Sequence, residues 1–258
     1  MPVEIPADLR ATLDALKANR FDARFAATGA AAREMMLDLT PAGAVVGLGD
    51  STTIRQIGIV DALERRGNEL LNPWTRRFTQ DMAGTLNIRG TLRDLAKRAL
   101  TADVFLCSVN ALTRGGELVS IDRGGNRVAG MIFGPGKVIL PVGRNKIVKD
   151  VAEGISRIKS VIAPAHTKRK EMKTPCAATG VCANCNSPER ICNITVILEK
   201  RPPSTDMTVI LIDEDLGLGW DPSWESQRIQ QIRSSYEKNT WVFLYAKVPP
   251  VPSPGGRV

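Results

Sequence analysis

Three short apolar runs decide what this chain can fold into: Ala44-Val45-Val46-Gly47-Leu48-Gly49, Val104-Phe105-Leu106-Cys107-Ser108-Val109 and Lys137-Val138-Ile139-Leu140-Pro141-Val142. Each has the continuous hydrophobic character of a strand buried on both faces, and each runs into glycine or polar residues that turn the chain. Helical spacing fills the intervals. Residues 7–18 put Leu9, Leu13 and Leu16 on one face, and 29–39 form a second helix stopped by Thr40-Pro41. The same period recurs over 54–66, 86–100, 147–158 and 223–238. Phe21, Ala23 and Phe25 alternate as a short strand; 69–71, 193–198, 207–212 and 240–246 also read as strands. The pattern predicts an α/β protein with three layers. A mostly parallel central sheet carries helices on both faces, with a cysteine-rich metal loop over 174–193 and a small β-rich C-terminal part. We expect one domain over 1–248 and a disordered Pro/Gly tail over 249–258.

The ends of the buried runs supply the candidate ligand contacts, because open parallel sheets bind ligands beyond the carboxyl ends of their strands. After the first run, Gly49-Asp50-Ser51-Thr52-Thr53 leads into a helix, which suits an anion, although a capped turn has the same sequence. No Gly-Lys-Ser/Thr follows, so it is not a Walker loop. After the second run come Asn110 and Thr113, then Asp122, Gly125, Asn126 and Arg127; Gly-Gly-Asn also fits an ordinary hairpin turn. After the third, Arg144 and Lys146 could meet a carboxylate or phosphate, or simply be solvated. His166 is the only histidine and reads either as a solvent-facing loop residue or as a ligand to substrate or metal. Asp50, Asp122 and His166 are the candidate acid–base groups.

Four of the five cysteines, Cys176, Cys182, Cys185 and Cys192, fall within seventeen residues at C-x5-C-x2-C-x6-C spacing. Soft thiolates so close together can close around a metal at little loop entropy. The uneven gaps suggest an iron–sulfur cluster, of the 4Fe-4S type, over a zinc ribbon built from two C-x2-C knuckles. Structural zinc and disulfides remain the alternatives.

A net charge of +8 favours anionic partners. Only 5% of residues are aromatic and no basic motif stands out, which argues against nucleic acid and for a small anionic metabolite. No apolar run approaches membrane-spanning length and Met1–Pro6 lacks a leader pattern, so a cytoplasmic protein without membrane contact is expected. A homo-oligomer or an electron-transfer partner is compatible with this composition.

The stretches Ser-Val-Asn-Ala-Leu-Thr (108–113), Gly-Asn-Arg-Val-Ala (125–129), Ile-Phe-Gly-Pro (132–135) and Gly-Arg-Asn-Lys-Ile-Val (143–148) resemble the LUD domain, named for lactate utilisation. The segment 47–53 and the cysteine run with Ser-Pro-Glu-Arg-Ile-Cys-Asn are similar to a stand-alone branch of that family, and the likeness covers about residues 15–245. It implies a fold related to ribose-5-phosphate isomerase, glucosamine-6-phosphate deaminase and the CoA transferases, in which a Gly/Ser/Thr loop after the first core strand holds an anion. Residues 47–53 lack the last glycine of the isomerase loop, and no glutamate matches the transferase nucleophile. The expectation is an iron–sulfur enzyme acting on a small hydroxy- or oxo-acid by oxidation or cluster-assisted dehydration. A zinc-stapled metabolite-binding module and an isomerase- or transferase-like enzyme with a structural metal are the alternatives. Many LUD proteins of the lactate operon lack the cysteine loop, so this branch need not act on lactate.

Overall fold

The computed structural model describes residues 4–74 and 88–240. In chain order its strands are β1 (Asp22–Ala26), β2 (Val46–Leu48), β3 (Leu70–Leu71), β4 (Val104–Leu106), β5 (Ala111–Thr113), β6 (Leu118–Asp122), β7 (Lys137–Gly143), β8 (Ile147–Val148), β9 (Ile194–Leu198) and β10 (Asp206–Ile212). Its α-helices are α1 (Ala7–Ala18), α2 (Gly29–Leu39), α3 (Thr52–Ile57), α4 (Ile59–Arg65), α5 (Ile88–Arg98), α6 (Asn126–Ile132), α7 (Val151–Arg157), α8 (Ala163–Arg169), α9 (Pro175–Thr179) and α10 (Ser226–Lys238).

Among the described residues six strands form the central sheet in the order β1-β10-β7-β4-β2-β3, and every adjacent pair is parallel. Side chains of a strand alternate between faces, so each strand feeds two cores. Met207, Val209 and Leu211 of β10 join Val138, Leu140 and Val142 of β7 on one side, packed by Leu9, Leu13 and Leu16 of α1 and Met131 of α6. Ile210, Ile212 and Ile139 face the other side, against Met36 of α2, Ile54 and Ile57 of α3 and Leu63 of α4. Leu9 and Leu16 are fully buried, each contributing about 1.5–3 kcal/mol, so α1 is fixed to the sheet rather than loosely apposed. The result is the three-layer α/β architecture expected from the buried runs.

A second sheet, β8-β5-β6-β9, pairs β5 with β6 and β6 with β9 antiparallel and β5 with β8 parallel. It packs through Ala111, Val119 and Val148 against Ile158, Val161 and Ile162. The strands expected over 193–198 and 207–212 therefore go to different sheets, and β10 lies inside the central one.

Three local expectations change. The helix expected over 54–66 is broken at Gly58, whose φ of 70° ends α3 and begins α4. The helix expected over 147–158 starts later. Ile147–Val148 is drawn into a parallel pairing with β5, and α7 begins at Val151 once the Asp150 side chain has accepted from the Glu153 N–H at 2.9 Å. Residues 163–169, including His166, are helical rather than loop. A π-helical turn over Ile158–Ile162 leads into α8, where Pro164 sits in the first turn and needs no N–H partner. Residues 86–87 of the helix expected over 86–100, residues 241–246 of the strand expected over 240–246 and the tail from 249 lie outside the described residues. Among the described residues no helix is long and apolar enough to cross a membrane.

Candidate functional site

Because β2, β4 and β7 run parallel, their carboxyl ends open on one edge of the sheet. There the chain after β2 supplies Asp50–Thr53, the chain after β4 supplies Ser108 and Asn110, and the turn after β7 supplies Lys146. Together they form the floor of a cleft of about 1030 Å³. The second sheet and the start of α6 provide one wall through Asp122, Asn126 and Arg127. Opposite lie His166 and Lys170, Gly217 and Leu218, and Tyr236 of α10. Among the described lining residues there are five Arg and Lys (93, 123, 127, 146, 170) against three carboxylates (50, 122, 189).

Lys146, one of the sequence candidates, is buried rather than solvated. Only 4% of it is exposed, and its Nζ donates to Thr53 Oγ1 and Ser108 Oγ, both at 2.8 Å. Ser108 spends its own proton on the Pro141 carbonyl at 2.7 Å, so its oxygen can only accept from the lysine. Among the described residues no carboxylate pairs with Lys146. Burial, with the Arg127 charge added, pushes the ammonium down to about 7. Gly217 covers the lysine at φ 78°, where a Cβ would stand 2.5 Å from Thr53 Oγ1 and 2.7 Å from Lys146 Cε. Only glycine both adopts that backbone and leaves the lysine its space.

Beside it, Asp50 accepts from Arg55 Nη1 at 2.8 Å and from Lys170 Nζ at 3.3 Å. Burial pushes the Asp50 carboxyl up, but the Lys170 and Arg55 charges outweigh it and hold it well below the usual carboxylate range. A carboxylate so stabilised is a counter-ion, and a poor proton acceptor near neutrality. Burial also pushes Lys170 down, to about 8, against the pull of Asp50. His166 Nδ1 lies 2.5 Å from Tyr236 Oη; burial, then the Lys170 charge, push the imidazole down to about 3, so it is neutral at physiological pH.

On the facing wall Arg127 is held by three hydrogen bonds. It donates to the Ser108 carbonyl at 2.6 Å, to Asn110 Oδ1 at 3.1 Å and to the Ile121 carbonyl, with Asp122 3.7 Å away. Asp122 also accepts from the N–H groups of Gly124, Gly125 and Val128, which shapes the turn into α6. Asn110 Oδ1 is held by the Ile121 N–H at 3.0 Å as well. Asn126 lines the cleft and makes no side-chain hydrogen bond among the described residues.

The cleft thus gathers Asp50, Ser51, Thr52, Thr53, Asn110, Asp122, Asn126, Arg127, Lys146 and His166 of the sequence candidates. The hydroxyls of the 51–53 turn already have partners. Ser51 caps α3 by accepting from the Ile54 N–H, Thr52 bonds Thr240, and Thr53 holds Lys146. Gly49, Thr113, Gly125 and Arg144 do not line the cleft. The Gly49 N–H continues the sheet to Leu106, and Arg127 Cγ would lie 2.8 Å from any Cβ added there. Thr113 is buried in the hairpin against Glu117. Gly125 takes the left-handed cap of α6, and Arg144 pairs with Asp213 and Asp8. Sequence reading passed over Ser108, Lys170, Gly217 and Tyr236. Lys170 sits four residues after His166 on a helical period, a signal that was present in the chain. Gly217 and Tyr236 arrive from distant segments and carried none.

The cysteine loop forms a further wall through Pro188, Glu189, Ile191 and Asn193, while none of its sulfurs lines the cleft. Arg190 pins it, donating to the carbonyls of Cys192 (3.2 Å) and Cys185. All five cysteines are free, and the four in the loop are half-buried. Cys176 Sγ lies 3.5 Å from Thr167 Oγ1 and 3.4 Å from Thr174 Oγ1. Among the described residues no three His, Cys, Asp or Glu side chains gather as metal ligands would. In metal-free protein, Ellman's reagent should titrate the four loop thiols in the native state. Cys107 should react only after unfolding, since it is fully buried and its thiol is pushed up to about 12. Masking of all four loop thiols by added zinc, or by iron with sulfide under exclusion of air, would show that the loop can close up around a metal.

No curated protein matches the chain. A DUF162 family protein from Deinococcus radiodurans, known from its crystal structure, is similar over 82% of this chain and 99% of its own, at 13% identity and a TM-score of 0.46. The LUD domain matches residues 9–212, which take in every strand of both sheets and most of the cleft floor and walls. The protein belongs to the LUD-domain family.

Proposed function

We propose that the cleft binds a small anionic metabolite of the hydroxy- or oxo-acid class. The observation that carries this reading is the buried Lys146, seated at the floor without a carboxylate among the described residues and beneath a lining richer in cations than in carboxylates. Burying a cation is unfavourable unless an opposite charge comes close, and a bound anion supplies that charge from outside the chain. Membership of the LUD family and the carboxyl-end position agree with it.

Thermal unfolding with lactate, pyruvate, inorganic phosphate and ribose 5-phosphate, with glucose as the neutral control, tests the reading. A cognate anion at about a hundred times its Kd stabilises by about 2.7 kcal/mol. For a chain of this size that corresponds to a rise of about 5–10 °C. Glucose should give none. A rise with the phosphates alone would replace the hydroxy- or oxo-acid by a phosphate ester; no rise beyond that given by equal ionic strength of chloride would remove the reading.

A further inference from the structure

We propose that Lys146 is a covalent catalytic residue, its ε-amine condensing with the carbonyl of a bound 2-oxo acid to form an imine. The inference rests on the anion-binding reading of the cleft and names the bond that the floor of that cleft is built to make.

Three features support it, of which geometry comes first. Lys146 lines the cleft, and its Nζ is fixed by two hydroxyl oxygens, Thr53 Oγ1 and Ser108 Oγ. Nitrogen has four bonding directions. The side-chain carbon and these two oxygens take three, which leaves one for an electrophile. Gly217 packs so closely on the lysine that a Cβ there would stand 2.8 Å from the Nζ. The second feature is charge. Burial and the nearby Arg127 lower the amine to about 7, so an uncharged fraction is present at neutral pH, whereas an exposed lysine is almost wholly protonated. A lysine desolvated beside another cation is a recognised way to obtain an amine nucleophile. The third is the neighbourhood. Cations of the lining offer a carboxylate its counter-charge, so an acid with a carbonyl next to its carboxylate meets both requirements at once.

The step balances without a redox partner. The amine lone pair attacks the carbonyl carbon, the carbonyl oxygen is protonated, and the resulting carbinolamine expels water as the C=N bond forms. The two protons that leave nitrogen depart in that water. The imine withdraws electrons from the substrate's neighbouring C–H or C–C bond, which is the reactivity that such a condensation confers.

Borohydride trapping tests it. The protein is equilibrated with pyruvate, treated with sodium borohydride, and mapped by peptide mass spectrometry. Pyruvate binding is measured by calorimetry on the same preparation. The expected result is reduced adduct on Lys146 far above that on any exposed lysine, with a yield that rises from pH 6 to pH 8. Lys146→Met should show no such adduct at any pH. Calorimetric binding of pyruvate with Lys146 unmodified after borohydride overturns the imine and leaves the anion-binding reading standing. If neither pyruvate nor 2-oxoglutarate binds, the imine fails, and the reading of the cleft fails with it only where lactate gives no stabilisation either.

Discussion

Asp50→Ala should unfold the protein more easily by about 3–5 kcal/mol at pH 7, the range found when one partner of a buried ion pair is removed. The carboxylate stands between Arg55 and Lys170, which are 12% and 6% exposed in their side chains. Taking it away leaves two cations facing each other across a desolvated space. Asp50→Asn keeps the shape and loses the charge, so it should recover only part of the deficit. The pH dependence has a definite sign. A carboxyl held below its ordinary 3.8 contributes stability that is present above 3.8 and is lost as pH falls through the folded value. The gap between wild type and Asp50→Asn, measured by urea unfolding, should therefore stay constant from pH 7 down to about 4 and narrow only in stronger acid. A gap below about 1 kcal/mol at pH 7 would mean that the three charges are solvated and the cluster is not structural.

Lys146→Met should act in the opposite direction. The wild-type amine titrates near 7 when folded and at 10.5 when unfolded, so its burial is costly below pH 7 and progressively less so up to 10.5. At about 1.36 kcal/mol per unit the full cost is on the order of 3–5 kcal/mol. Methionine fills a similar volume and carries no charge, while two hydroxyls lose a partner. In weakly binding buffer the variant should be more stable than wild type by about 2–3 kcal/mol at pH 6. At pH 10 it should be equal or slightly less stable. The same substitution should abolish the stabilisation given by anions. A variant less stable at pH 6 than at pH 10 relative to wild type would show that the lysine keeps its proton in the folded protein.

The stability experiments bear on a site whose outline the sequence shows only in part. The helix over 29–39 is legible to the residue, because Thr28 caps its start and Thr40-Pro41 closes its end within four residues of the pattern they bound. The runs ending at Leu48, Leu106 and Gly143 are equally plain, since a strand buried on both faces needs continuous apolar residues whatever its neighbours are. What fails is whatever depends on a partner far along the chain. Ile147-Val148 has helical company on its C-terminal side and becomes a strand only because β5 lies beside it. Lys146 reads either as an anion contact or as a solvated residue, and its burial is not legible because its cover, Gly217, lies seventy-one positions away. The cysteine spacing is a different case: it counts sulfurs along a line and leaves open their directions, which depend on the short α9, the left-handed Gly180 that ends it and the Arg190 clamp. Local pattern fixes elements; burial and coordination are set by how those elements meet.

The position of β10 between β1 and β7 also bears on how the molecule is made. β1 ends at residue 26 and its neighbour in the sheet begins at residue 206, so among the described residues β1 gains its ladder only once the chain as far as β10 has been made. Loop closure across so many residues is entropically expensive and comes before the contacts that reward it. Folding of this sheet should therefore be slow, with nascent chains that lack β10 leaving one side of β7 unpaired among the described strands and open to chaperones or to one another.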